Sequence, residues 1–342
     1  MLASAACPAA GTGWMAAIGG LLALDDGFDL RALAAGIGQR MAHRAPDGSC
    51  LHVEPGFAML HGALHATPES ASLAQPLVLG DWVIAVDGRI DDRPGLLHAF
   101  GIAHADGTHM PDALLFARAW QSWGEDFWRH VTGDFALAAW HRRDRVLHLV
   151  RDRVGVRPLY FAHAHRLFAF ASEQEALAGL PGVSTDFDDD RIAYYLAPAF
   201  VDDDPGATWL RDVRRLQPGE CLRVDAGGGV ALSRYWRMAP LESLRFRDAG
   251  EAAHAFRDVF DAAVACRLRS PARTGLMLSG GIDSASILAA SLRLSRRDGI
   301  ALPRPVSILD DALHPGEAAN ITAVAGQVDD ALCIRFPGHA ST

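Results

Sequence analysis

Apolar residues in the first half of the chain come in short runs separated by turn residues. Residues 15–24 are almost wholly apolar and close on Asp25-Asp26-Gly27, which predicts an opening strand. Residues 30–41 carry apolar positions at helical spacing and lead into His43-Arg44-Ala45-Pro46-Asp47-Gly48, a turn by its Pro and Asp-Gly content. Short strands are predicted at 57–64 and 82–86, the second ending at Asp87-Gly88. Residues 112–123 read as a helix, and 135–140 with 146–151 as a hairpin. A turn at 153–158 precedes a further hairpin formed by 159–161 and 167–171. Many strands with few helices predict a sheet-on-sheet core.

The stretch 186–204 is acidic and includes Asp202-Asp203-Asp204, which predicts surface loops and a domain seam. Another hairpin is expected across 221–229. After Asp248 the texture turns helical: 251–267 gathers Ala252, Phe256, Val259, Phe260 and Val264 on one face, and a second domain is expected to begin there. Then come a strand at 275–278, a glycine turn at 279–281, a helix at 283–292, a parallel strand at 302–309 and a helix at 317–328. There is no internal repeat.

A length of 342 residues, at roughly 100–200 per domain, predicts two domains. Half the residues are hydrophobic and 21% charged, as in a globular chain. The net charge of −9 argues against nucleic acid as a bulk partner and leaves a small molecule as the default. All 32 basic residues are arginine. With no lysine, neither a Walker-type phosphate loop nor a Schiff-base mechanism can operate. The five cysteines are scattered without a CxxC pair, so neither a zinc framework nor disulfides are expected. Cys7 reads as an ordinary terminal thiol. No stretch reaches the roughly 18 apolar residues of a membrane helix; a soluble, cytoplasmic protein is expected.

The chemistry concentrates in Leu278-Ser279-Gly280-Gly281-Ile282-Asp283-Ser284. A strand, a glycine turn and a helix in that order make an anion cradle: glycine lets the backbone approach a phosphate, and unpaired N–H groups and the helix dipole favour its charge. Ser279 and Ser284 add hydroxyls. Asp283 would repel phosphate unless a cation intervenes, so it is assigned to Mg²⁺ or to capping the helix. The structural alternative is an ordinary strand-to-helix turn.

Several separate motifs, in order, carry a resemblance. His43–Gly48 resembles RHRGPDG, Gly133-Asp134-Phe135-Ala136 resembles GDFA, residues 151–160 resemble RDxxGxxPLYY, and residues 170–177 resemble FASExKAL. Together with the glycine loop they make the chain similar to glutamine-dependent asparagine synthetases and to the related cyclases that close lasso peptides. The resemblance implies an α+β glutaminase-like sandwich of the N-terminal-nucleophile type, followed by a truncated α/β ATP-pyrophosphatase domain. It divides the chain into an extension at 1–14, a glutamine amidotransferase-like domain at 15–185, connecting strands and loops at 186–240, and the ATP-binding domain at 241–342. It implies ATP and Mg²⁺ as cofactors and AMP-forming amide-bond synthesis. Leu278, Ser279, Gly280, Gly281, Asp283, Ser284 and Asp310 would bind ATP, with Asp283 on the metal and the tip at 307–310 beside the nucleotide.

This sequence departs from the family in its first half. Ala16 stands where the family has its nucleophilic cysteine, and fourteen residues precede Met15, so no free amine is expected there unless Met15 is the true start. Asp87-Gly88-Arg89 replaces Asn-Gly-Glu, and Ala63 replaces the carboxylate-binding arginine. Asp112 matches the remaining ammonium-binding aspartate, or serves as a helix N-cap. The expectation is a glutaminase half without activity, which suits a cyclase acting on a peptide carboxylate of a precursor peptide. Asparagine synthesis from aspartate stays open. Residues 335–342 resemble nothing in the family's second phosphate segment. A frameshift or premature end is expected, with a non-catalytic fragment that binds a nucleotide or a partner as the alternative.

Overall fold

The computed structural model describes residues 16–197, 204–239, 243–309 and 314–335. The chain divides into two compact units, Met1–His65 with Glu69–Pro240, and Leu241–Thr342 with Ala66–Pro68.

Among the described residues the first unit holds two six-stranded sheets. One runs Val213–Arg215, Tyr160–Ala164, Leu167–Ala171, Ala17–Ala23, Phe57–Gly62, Ser49–Glu54; the other runs Val230–Arg234, Glu220–Asp225, Val146–Arg151, Gly133–His141, Trp82–Ile90, Leu77–Leu79. The opening strand Ala17–Ala23 is buried at every position, so it shows a continuous apolar run instead of alternation. Its two faces still separate by strand periodicity. Ile18 and Leu22 enter the core between the sheets, whereas Ala17, Leu21 and Ala23 face Leu30, Ala34 and Ile37 of the helix Leu30–Arg40. Gly20 is needed in that strand because a Cβ would lie 2.5 Å from the Ala58 carbonyl oxygen.

The second sheet repeats the arrangement. Val83 and Ala85 point into the inter-sheet core, while Ile84, Val86 and Ile90 pack under Leu115, Phe116, Ala119 and Trp120 of the helix Asp112–Trp123. Phe57 from one sheet stacks on Trp140 from the other, ring centroids 4.3 Å apart. Gln75 adds a polar tie: its amide accepts from Val86 N–H at 2.9 Å, donates to Val86 C=O at 3.1 Å, and reaches His61 Nε2 at 3.0 Å on the opposite sheet. The layers are helix, sheet, sheet, helix.

Several elements differ from the sequence reading. The strand from Trp82 does not stop at Asp87-Gly88; it continues to Ile90 because Gly88 and Arg89 stay in register with Phe135 and Asp134. An edge strand forms at Ser49–Glu54, where only Leu51 and Val53 mark the core-facing side. Within the acidic stretch expected as loops, Asp189–Leu196 is a helix whose N-cap, Asp188, accepts from Asp190 and Arg191 N–H. Acidic residues in a first turn suit the helix dipole. Residues 186–240, expected as connecting segments, supply three strands to the two sheets.

The second unit contains a parallel sheet ordered Gly275–Met277, Arg304–Leu309, Leu332–Arg335, with helices Ala249–Arg267, Ile282–Asp298 and Pro315–Ala325. Leu278, Leu288, Leu309, Ala318, Ile321 and Ala325 form its core. Among the described residues no helix is long and apolar enough to cross a membrane.

Candidate functional site

In the first unit, Ala16 sits just before the opening strand. Its methyl group offers no nucleophile, but its carbonyl is gripped: Arg44 donates to it from Nε at 3.1 Å and from Nη2 at 2.9 Å. Arg44, buried in the turn after the first helix, also approaches Asp87 Oδ2 at 3.4 Å and Glu173 Oε1 at 3.3 Å. Asp87 is only 2% exposed, and Arg157 Nη1 meets its other oxygen at 3.3 Å. Burial pushes the Asp87 carboxyl above the usual carboxylate range, against the lowering pull of Arg157 and Arg44. Two guanidinium groups and two carboxylates thus form one network, tied to residue 16 through Arg44.

The motif at 151–158 explains how Arg157 arrives there. Asp152 is fully buried and accepts three backbone N–H groups, from Val154, Val156 and Arg157. Arg151 braces the same turn through the carbonyls of Gly155, Arg157 and Leu216. Gly155 takes φ +72°, and a Cβ there would lie 2.7 Å from Pro218. The motif is a rigid loop, and it delivers a cation to Asp87.

Gly88 follows Asp87 in the strand, and a Cβ on it would come within 2.8 Å of Phe135. Arg89 turns to Asp91, Nε to Oδ1 3.1 Å. Asp112 is not an N-cap: that position is Pro111, without a side-chain cap. The Asp112 carboxylate instead binds Arg93 and accepts from Ile90 N–H at 3.0 Å, which ties it to the strand bearing Asp87 and Gly88. Ala63 takes part through its backbone alone, bonding Gly48 and Asp47.

In the second unit, the strand Gly275–Met277 runs through buried Leu278 into the turn. Leu278 N–H donates to Val306, and its carbonyl accepts from Ser307 Oγ at 2.7 Å. Ser307, expected beside a nucleotide, is buried and committed to this tie. Gly280 has φ +69°, and a Cβ would meet Ile321 N and Cγ1 at 3.0 Å and Asn320 Cβ at 3.1 Å. Gly281 is the N-cap of the helix Ile282–Asp298 and brings no side-chain cap. Ser279 and Ser284 hydroxyls lie 3.1 Å apart, and Ser284 Oγ also accepts from Ser279 N–H. Asp283 is exposed in the first helical turn and does not cap the helix. Asp310, Cys7 and Met15 lie outside the described residues.

Among family models, "Glutamine amidotransferase domain" matches residues 15–236. The chain belongs to that family. "Asparagine synthase" matches residues 255–308, which contain the glycine turn. An amidotransferase domain followed by such a segment is, at the level of family, the make-up of the glutamine-hydrolysing asparagine synthetases, and the curated relatives agree. Asparagine synthetase [glutamine-hydrolyzing] 3 of Bacillus subtilis is 28% identical over 76% of this chain and 42% of its own length. A putative asparagine synthetase [glutamine-hydrolyzing] of Mycobacterium tuberculosis is 28% identical over 80% of this chain and 44% of its own. The chain therefore spans about two fifths of the length of the curated relatives it matches. Among solved structures, a glutamine phosphoribosylpyrophosphate amidotransferase from B. subtilis superimposes over 85% of this chain and 74% of its own, with a TM-score of 0.45 and 13% identity. The family assignment carries the fold with it: an N-terminal-nucleophile-type amidotransferase sandwich followed by an ATP-pyrophosphatase-like domain.

The residues that sequence reasoning missed here are Arg44, Arg157 and Glu173. Each lies inside a motif that was recognised, but as a scaffold residue. The available signal was charge balance, since a buried aspartate in place of asparagine needs a counter-ion.

Proposed function

We propose that the chain is an asparagine-synthetase-type ligase half whose amidotransferase domain does not hydrolyse glutamine, and whose Leu278–Ser284 segment binds the pyrophosphate end of ATP. The single observation that carries the nucleotide reading is the turn at Gly280-Gly281. At Gly280 the left-handed backbone and the closeness of Ile321 disfavour any side chain, and Gly281 opens a long helix with no side-chain cap, so first-turn N–H groups are left for an anion. Magnesium, when bound, supplies charge neutralisation at the phosphates. Asp283, exposed in that turn, is the residue suited to hold it. The hydroxyls of Ser279 and Ser284, 3.1 Å apart, would donate to phosphate oxygens on this reading.

On this reading a carboxylate oxygen of the acceptor attacks the α-phosphorus of ATP and pyrophosphate departs, with Gly280, Gly281 and the serines stabilising its charge. An amine then attacks the acyl carbon and AMP leaves. The absence of a nucleophile at Ala16, together with Ala63, Arg89 and the closed ion network around Asp87, supports an amine that does not come from glutamine. A peptide's own N-terminus, closing a macrolactam on a precursor peptide, meets that condition. Asparagine formation from aspartate with free ammonia is the competing choice.

Two assays test the proposal. ATP–pyrophosphate exchange in the presence of candidate acceptors should be measurable with the purified chain and lost in Ser279→Ala/Ser284→Ala; its absence would favour nucleotide or partner binding without catalysis. Ammonia release from glutamine above a blank would refute the inactive amidotransferase.

A further inference from the structure

A third cluster lies on the helix-facing side of the second sheet, apart from both sites above. Glu125, in the short helical turn Gly124–Arg129, converges with His148 on the strand Val146–Arg151 and Cys221 on the strand Glu220–Asp225. Their ligand-type atoms all lie within 4.8 Å of one another. The ladder sets this up: Cys221 pairs with Val150 and Arg223 with His148, so Cys221 and His148 are diagonal neighbours on one face.

Two of the three are deep in the protein, with Cys221 5% and His148 8% exposed, while Glu125 borders solvent. The imidazole is held between Trp120 and Trp82, ring centroids 5.2 and 6.0 Å away. His148 Nδ1 is 3.0 Å from Glu125 Oε1, yet it is buried with no hydrogen-bond partner among the described residues, because the two groups are not aligned for one. A buried polar atom in that state calls for an explanation. Side by side at 3.0 Å, the nitrogen and oxygen are spaced as two ligands of one small cation: bonds of ~2.0 Å in a tetrahedron give an edge of roughly 3.3 Å.

We propose that Glu125, His148 and Cys221 bind one divalent ion of the zinc class, with the fourth position open toward solvent beside Glu125. Thiolate, imidazole and carboxylate suit zinc and disfavour magnesium or calcium, which take oxygen ligands. Binding replaces the Cys221 thiol proton with the metal and releases that proton to solvent. The thiolate and carboxylate together balance the ion's charge. Arg223, exposed and cross-strand from His148, opposes it and weakens binding.

The full-length chain, stripped with a chelator and titrated with Co²⁺, should take up one equivalent with a thiolate-to-cobalt charge-transfer band. Zinc should abolish the band, and excess Mg²⁺ should not. Cys221→Ser, with an unchanged circular dichroism spectrum, should lose the band. Glu125→Gln, at a half-exposed position, should bind at least about tenfold more weakly, a size typical of losing even a supporting ligand. Arg223→Gln should bind more tightly. No band at one equivalent, a band that survives in Cys221→Ser, displacement by Mg²⁺, or parental affinity in Glu125→Gln would each overturn the proposal.

Discussion

Replacing Gly280 by alanine should unfold the second unit earlier and leave the first untouched. Gly280 has φ +69°, where an L side chain costs roughly 1–2 kcal/mol. The loss of backbone freedom in the unfolded chain returns ~0.4–1 kcal/mol. The new Cβ also meets Ile321 N and Cγ1 at 3.0 Å, and a helix backbone atom cannot step aside as a side-chain tip can. Overpacking of this kind costs about 1–3 kcal/mol. The net is about 3 kcal/mol, which for a unit of this size lowers the midpoint by roughly 15 °C. The molecule supplies its own two reporters. All eight tryptophans precede residue 240, so their fluorescence follows the first unit, while far-ultraviolet circular dichroism also follows the helices of the second. The dichroism transition should move down and the fluorescence transition should stay. An unmoved dichroism transition, or equal shifts in both, would refute the packing argument.

Arg157→Met removes one of the two cations facing Asp87 and should cost about 3 kcal/mol at neutral pH, as breaking a buried pair does. The Asp87 carboxyl is already held above its ordinary value, and the variant raises it further. A raised folded-state value gives stability that is lost as pH rises through it, so denaturant midpoints of the variant should fall further behind the parent at pH 8 than at pH 5. His61 runs the opposite way: burial lowers it to about 4, so the unfolded chain takes the proton first and stability falls between pH 6.5 and 4, by up to roughly 3 kcal/mol. His61→Gln keeps an acceptor for Gln75 and should flatten that acid limb in urea titrations. Ala16→Ser should leave the unfolding midpoint within about ±0.5 kcal/mol, whereas Arg44→Met, which releases the Ala16 carbonyl and uncovers Asp87, should lower it by several-fold more.

The sequence made visible those elements whose burial imposes a pattern. The opening strand, the helix at 112–123 and the strand, turn and helix around Gly280 were legible because apolar spacing or glycine geometry admits few other structures. Ser49–Glu54 was not: Leu51 and Val53 pack on the core and alternate with Cys50, His52 and Glu54, but two apolar positions are too few to stand out as a strand pattern. Asp189–Leu196 escaped because acidic residues were read as solvated loop, although they also cap helices. In the sites, local geometry was readable and long-range pairing was not. Nothing in the spacing of residues 44, 87 and 157 says that they meet, and Glu125, His148 and Cys221 lack the short intervals by which metal ligands announce themselves.

The grip of Arg44 on the Ala16 carbonyl has a consequence for descent. Every residue type presents the same carbonyl, so the attachment is indifferent to the side chain at position 16. A lineage that drops its nucleophile there loses a reaction without loosening a strand, and selection for folding cannot resist the change. The same indifference holds in the other direction: the attachment through the carbonyl places no demand on which side chain position 16 carries, a thiol included.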